Sequence, residues 1–515
     1  MPTTRFATNP EQSTIHNPVS SERLQTGLIV AIITAISTVG MLLCASPELW
    51  WDEADYVSKT GLPWSVLWST SDYERHEHGP MAMYLAKIGQ HIVPASLASV
   101  EVRLRLLEAL IGSFAVGLVY FLLRKCFATS RTAALVGSVL LLFSVIRLEE
   151  TNIVGPHHLF LLSTLGILGL GYYWRNSATW RTAAVLGALL GFGALAMTYA
   201  VPLALCWALA VWIAGGEWIT LDSRYLKFSR ATLVALATTA IVLLILWPPD
   251  ILHSVLLTDF TYYLHYAPFP TLIGDWIYVV PPRWSFFFWL AHLDAPILIA
   301  SASVIAIAMW RAARGGRFTP KHAWLAVCIA FMLSTALAAH IAGARNLLQV
   351  LGVLCLATGA LFDELFPPGR RLARVGVGVA VILAAGLNLA WLAGPSRYIP
   401  YPATDGYRAF VRDNRSRLHK NTRAVVYGVP VLNFYLGQES ESIAWNATEF
   451  PWAPLSNDPL PAGTRYVLVP EFVYKGTPPE NPVRNVVDRS WRVVWSYKVP
   501  HVWELRLYEN PAFSD

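Results

Sequence analysis

The residues best equipped for chemistry lie just after the first apolar run, in Trp50-Trp51-Asp52-Glu53-Ala54-Asp55-Tyr56. Carboxylates at a membrane interface lose part of their hydration, which pushes their pKa upward. A carboxylate fixed beside a reacting hydroxyl can accept its proton as a general base. Asp52 and Glu53 are the candidates; the plainer reading is a solvated pair capping the next helix. Further on come His76-Glu77-His78-Gly79-Pro80 and Tyr84. His76 and His78 could bind a metal, but two ligands without a third fall short of a site. A helix start with Pro80 near its first turn is the simpler account of the segment.

Arg147, Glu149 and Glu150 follow a later apolar run. A second carboxylate near Asp52 could hold an acceptor or coordinate a cation with it; the alternative is a snorkelling Arg147 beside surface carboxylates. Arg345, flanked by apolar runs, offers a planar fork suited to phosphate oxygens. Arg103 and Arg105 are further phosphate candidates, with interfacial anchoring as the alternative for each. An aromatic loop carrying Asp250, His253, Tyr262, Tyr263, His265 and Tyr266 could wall a sugar site or form an interface belt. Asn414-Arg-Ser416 and Asn446-Ala-Thr448 fit the glycan acceptor pattern.

These residues need a scaffold, and the composition says which kind. Of 515 residues 55% are hydrophobic and 14% charged, whereas a soluble domain carries about 45–50% and about 25%. Disorder and a disulfide-built scaffold are excluded. Five cysteines include no CxxC pair. Apolar runs recur at 27–45, 106–123, 133–146, 158–174, 183–199, 202–214, 231–247, 286–310, 323–341, 347–365 and 375–392. They predict a mainly α, polytopic membrane protein with about 11 transmembrane helices, at roughly 20 apolar residues per span. No small-residue cleavage site follows the first run, so it reads as a retained helix.

Every second loop is short and basic, as in Arg124-Lys125, Arg311 to Lys321 and Arg370-Arg371. The positive-inside rule places those loops in the cytoplasm. The expected layout is a cytoplasmic segment at 1–26, a transmembrane catalytic domain at 27–394 with a long first outer loop at 46–105, and an extracytoplasmic α+β domain at 395–515. In that last domain, 405–418 reads as an amphipathic helix with Tyr407, Phe410, Val411 and Leu418 on one face. Strands are expected at 424–427, 466–469, 493–497 and 502–508. The net charge of +6 orients loops here and does not point to nucleic acid.

The order of features resembles the GT-C superfamily of membrane glycosyltransferases. It comprises an Asp-Glu pair after the first span, His78-Gly79-Pro80, Arg103-Leu-Arg105, acidic residues after the third span, and an Arg before a late span. The branch it is most similar to contains the protein O-mannosyltransferases and the aminoarabinose transferase of lipid A. That resemblance implies an inverting transfer from a polyprenyl-phosphate sugar donor to a protein, lipid or glycan acceptor at the outer face of the plasma (inner) membrane. The family's first acidic position falls on Asp52, with Glu53 beside it, and the second on Glu149 or Glu150. Its loop motif falls on His78-Gly79-Pro80 and its late basic position on Arg345-Asn346, where Asn replaces the usual Tyr. No cofactor is implied with certainty; a divalent cation is the one the acidic and His residues could hold. A polytopic transporter or flippase is the alternative, disfavoured because no internal repeat is evident and the charged residues gather at span ends.

Overall fold

In the computed structural model the described residues are 18–44, 48–49, 51–69, 81–149, 154–155, 157–174, 179–196, 223–246, 271–273, 276–278, 285–338, 347–367, 369–393, 406–437, 445–449, 460–471, 490–498 and 504–513. The first half is helical: α1 (Pro18–Cys44), α2 (Trp51–Thr60), α3 (Trp64–Ser69), α4 (Met81–Ile92), α5 (Val100–Lys125), α6 (Arg131–Leu142), α7 (Val145–Glu149), α8 (His157–Trp174) and α9 (Trp180–Ala196). Then come α10 (Ser223–Leu246), a hairpin of β1 (Thr271–Ile273) and β2 (Trp276–Tyr278), α11 (Ser285–Arg314), α12 (Pro320–Ala338), α13 (Leu348–Leu365) and α14 (Arg371–Ala393).

Among the described residues five helices are long and apolar enough to cross a membrane: those at Glu22–Cys44, Val100–Lys125, Leu293–Arg314, Leu348–Leu365 and Arg371–Ala390. The chain is an integral membrane protein. Each expected span coincides with helix, apart from 202–214, which lies outside the described residues. One span needs correction. The run 133–146 is two helices, α6 and α7, broken at Phe143-Ser144. The break is held from a distance: Asp294 of α11 accepts hydrogen bonds from Ser144 Oγ at 2.9 Å and from the Val145 and Ile146 amides at 2.8 and 3.2 Å. A carboxylate on the first amides of a helix satisfies donors that have no partner within it.

Helix ends follow local rules. The Ser99 side chain accepts from the Val102 amide at the start of α5, Glu101 sits in the first turn, and Arg124 and Lys125 close the last. Each charge opposes the helix dipole at its end. Small residues let helices approach closely, which is how membrane helices pack without a solvent-driven force between them. A methyl on Gly112 of α5 would meet the ring of His158 on α8 at 2.6 Å. One on Gly187 of α9 would strike the backbone carbonyl of Ala235 on α10. α13 is central, buried along nearly its whole length against α6, α8, α11 and α12. α1 and α14 are peripheral, with Leu28, Ile32, Ile36 and Val39, and Val375, Val379, Ile382 and Leu383, turned outward.

The C-terminal domain contains α15 (Tyr407–Asp413), β3 (Arg423–Val426), α16 (Val429–Gly437), β4 (Asn446–Glu449), β5 (Thr464–Pro470), β6 (Arg492–Lys498) and β7 (Glu504–Glu509). The sheet order is β4-β3-β5-β7-β6, parallel across β4, β3 and β5 and antiparallel across β5, β7 and β6. Tyr407, Phe410, Val411 and Leu418 are all buried as the amphipathic pattern requires. The helix itself stops at Asp413 and a 3-10 turn finishes the segment. All four expected strands are present, while β4 and α16 are additions. Asn414 is fully buried, donating to the Phe410 carbonyl at 3.1 Å and accepting from Arg417 at 2.7 Å. Its glycan triplet is therefore structural, whereas Asn446 opens an edge strand and is exposed.

Candidate active site

Asp52 lies in the first turn of α2, whose placement is fixed by its neighbours. Glu53 is completely buried. Its carboxylate accepts from Arg105 Nε at 2.7 Å, Arg105 Nη2 at 2.5 Å and the Val154 amide at 2.7 Å. Arg105 Nη2 also donates to the Glu48 carbonyl at 2.7 Å. The fork-on-carboxylate geometry is directional as well as strong. It ties α2 to α5 and to the segment entering α8. With 1% exposure, Arg105 is a buried partner of Glu53, so the fork read as a phosphate candidate is engaged by a carboxylate here. Glu53 likewise holds the helix in place and has no oxygen directed to solvent.

The other end of α2 is held by Lys87, which sequence reasoning missed. Its Nζ donates to the Thr60 carbonyl at 2.7 Å and to the Leu62 carbonyl, and stands 5.3 Å from the Trp64 ring centroid. A buried ammonium on the last carbonyls of a helix favours the dipole. The signal was available: a Lys within the apolar stretch Met81–Ile92 needs a partner. Thr60 Oγ1 adds a bond to Gln90 Oε1 at 3.1 Å. Arg103 is half-buried, donates to the Gln90 carbonyl at 3.2 Å and keeps its Nε without a partner among the described residues.

Beside α2 lies a second polar layer. His158 Nδ1 is 3.6 Å from Glu108 Oε2, both groups buried. Arg147 is buried too, so it does not snorkel. It donates to the Leu141 carbonyl at 2.9 Å, the Leu142 carbonyl at 2.6 Å and Ser37 Oγ at 2.9 Å, closing the end of α6 against α1. Asp294, also missed, completes its set with Asn388 Nδ2 at 2.6 Å and so anchors α7. An Asp two residues before Pro296 in an apolar run was the available clue. Glu149 ends α7. The side chains of Asp52 and Glu149, and the residues Glu150, His76, His78 and Arg345, lie outside the described residues. No three His, Cys, Asp or Glu converge as a metal site among the described residues. Glu53 is committed to Arg105 and the other residues named for a cation lie outside the described residues, so no step below passes through one.

The C-terminal domain packs onto this site, α16 lying against α2. Burial raises the pKa of Glu48, opposed by the amides of Arg408, Gly406 and Tyr407. Burial and the nearby carboxylate of Glu48 raise that of Tyr435.

No protein-family model matches the chain, and no curated protein matches it. Solved structures do. ArnT from Cupriavidus metallidurans bound to undecaprenyl phosphate shares the fold with a TM-score of 0.57 at 14% identity, over 95% of this chain and 99% of that one. The same protein in the apo state gives 0.59 at 14% identity, over 96% and 99%. The archaeal oligosaccharyltransferase AglB from Archaeoglobus fulgidus, in complex with an inhibitory peptide and a dolichol-phosphate, gives 0.61 at 12% identity, over 94% and 74%. The fold of this chain is the GT-C fold.

Proposed function

We propose that the protein is an integral-membrane inverting glycosyltransferase that moves a sugar from a polyprenyl-phosphate donor to a hydroxyl acceptor on a protein, lipid A or another envelope glycan. The observation that carries this reading is the fixing of α2 at both ends, by Glu53–Arg105 and by Lys87, which gives the first turn carrying Asp52 a set position. A set position is what a general base needs, because reacting atoms must be held near contact distance. In the reaction the Asp52 carboxylate takes the acceptor hydroxyl proton. The oxygen attacks the anomeric carbon from the face opposite the phosphate, and the carbon–phosphate-oxygen bond breaks with its electron pair leaving on polyprenyl phosphate. Arg345 and Arg103 stabilise that charge, as preorganised cations do. A phosphate leaving group needs no strong acid, so one carboxylate suffices, unlike glycoside hydrolysis. Glu149 or Glu150 would orient the acceptor.

Support comes from the bound lipids of the structures sharing the fold, undecaprenyl phosphate in ArnT and a dolichol-phosphate in AglB. Alternating basic loops support an amino terminus in the cytoplasm and a C-terminal domain outside the plasma (inner) membrane. The test is Asp52→Asn, assayed in membranes with a labelled polyprenyl-phosphate sugar. Transfer should fall by about 10²–10⁴-fold, the span typical of a lost general base, with donor binding retained. Near-normal transfer would overturn the assignment.

A further inference from the structure

The link between α1 and α2 is gripped from two sides. From the membrane bundle, Arg105 holds the Glu48 carbonyl and the Glu53 carboxylate. From the C-terminal domain, the buried Tyr435 hydroxyl accepts the Leu49 amide at 3.0 Å and donates to Glu101 Oε1 at 3.3 Å. The Arg408 guanidinium pairs with the same Glu101 oxygen and lies 5.2 Å from the Tyr435 ring centroid. The Glu48 carboxylate then accepts the backbone amides of Gly406 at 3.1 Å and Arg408 at 3.3 Å. Gly406 adopts φ of 101°, which suits glycine, and a methyl there would meet the Tyr497 ring at 2.7 Å.

Three of these contacts from the C-terminal domain end on Glu48 or Leu49, immediately ahead of the helix that carries Asp52, and two end on Glu101 in the first turn of α5. Apolar packing continues the grip, since Leu49, Ala54, Tyr435 and Leu436 belong to one buried cluster. An interface serving only to tether two domains has no reason to concentrate its directional bonds on one short link. We propose that the C-terminal domain positions α2 through Tyr435 and Arg408, so that the domain sets the placement of the catalytic carboxylate. Tyr435 and Arg408 are positioning residues: they touch no reacting atom, the Tyr435 hydroxyl acting through Leu49 and Glu101 and the Arg408 guanidinium through Glu101 and the Tyr435 ring. The turnover part of this inference rests on the transferase reading above; the structural part does not.

The test uses the full chain in lipid nanodiscs and two variants, Tyr435→Phe and Arg408→Ala. Amide hydrogen exchange is followed in residues 51–60 and, as a control for the domain itself, in 464–470. The expected result is exchange about five- to tenfold faster in 51–60 with 464–470 unchanged, the scale of one lost buried hydrogen bond. Turnover of a polyprenyl-phosphate sugar should show kcat down about tenfold with donor KM within about twofold, the signature of an interaction felt in the transition state. Arg408→Lys, which keeps the charge opposite Glu101, should restore most of kcat. Unchanged exchange in 51–60 overturns the proposal, as does faster exchange with unchanged kcat. If Tyr435→Phe also loosens 464–470, the half-exposed Arg408→Ala decides by the same criteria. A wild-type protein that transfers no sugar sinks the transferase reading, and the exchange result still judges the positioning.

Discussion

Glu53 has exchanged water for protein donors, Arg105 and the Val154 amide among them, and that exchange is costly to undo by halves. Removing one member of a buried ion pair strands the other, typically costing about 3–5 kcal/mol, whereas replacing both with apolar groups is often neutral. Arg105→Met should therefore lower the unfolding free energy of the detergent-solubilised protein by about 3–5 kcal/mol. Adding Glu53→Leu should recover much of it, and a fully additive double variant would contradict the pairing. The sequence identified Asp52 and Glu53 as a unit but not their division of labour. The partner that separates them stands 52 residues away, and local sequence carries no mark of that distance. For the same reason Arg105 read as a phosphate ligand: a cation near a membrane surface has the same one-dimensional signature whether it meets a phosphate or a carboxylate.

At the level of helices, apolar runs located the described helices well because the bilayer imposes a length on whatever crosses it. They failed where polar side chains from another element intervene. The α6–α7 break depends on Asp294, which lies 150 residues after Ser144. Contact between α9 and α10 depends on the lack of a side chain at Gly187, which composition does not reveal. Gly187→Ala should push a methyl against the Ala235 carbonyl and destabilise by about 1–3 kcal/mol, the usual cost of overpacking. Gly376→Ala on the peripheral α14, where nothing lies within 4 Å, is the control and should leave the apparent melting temperature unchanged or slightly raised. Equal losses in the two variants would refute the close-approach reading.

For the whole molecule, a buried carboxyl stands at the junction between bundle and C-terminal domain. Glu48 has its pKa raised from 4.5 by burial, against the pull of the amides it accepts. A carboxyl that binds its proton more tightly when folded stabilises the fold below its ordinary pKa, and that contribution is lost as pH rises through the raised value. Stability of the full chain should thus fall as pH climbs from 4.5 and level off above the raised pKa. Glu48→Gln, which carries no titrating proton, should flatten that segment of the melting-temperature profile; an unchanged slope would remove Glu48 as its source. The two-part layout of membrane bundle and small α+β domain was readable from composition alone. How the parts meet was not, because Glu48, Glu101, Arg408 and Tyr435 are each unexceptional in their own stretch of sequence.

The burial of α13 has a consequence for how the chain is made. Its main packing partners, α5, α6, α8, α11 and α12, all precede it in sequence. When α13 leaves the ribosome, the walls of its seat have already been synthesised, while α14, which packs on α6 and α11, is still to follow. The order of synthesis thus lays down the socket before the central helix that fills it. A nascent chain stalled before residue 348 would leave that socket open to lipid, a ready target for membrane quality-control proteases.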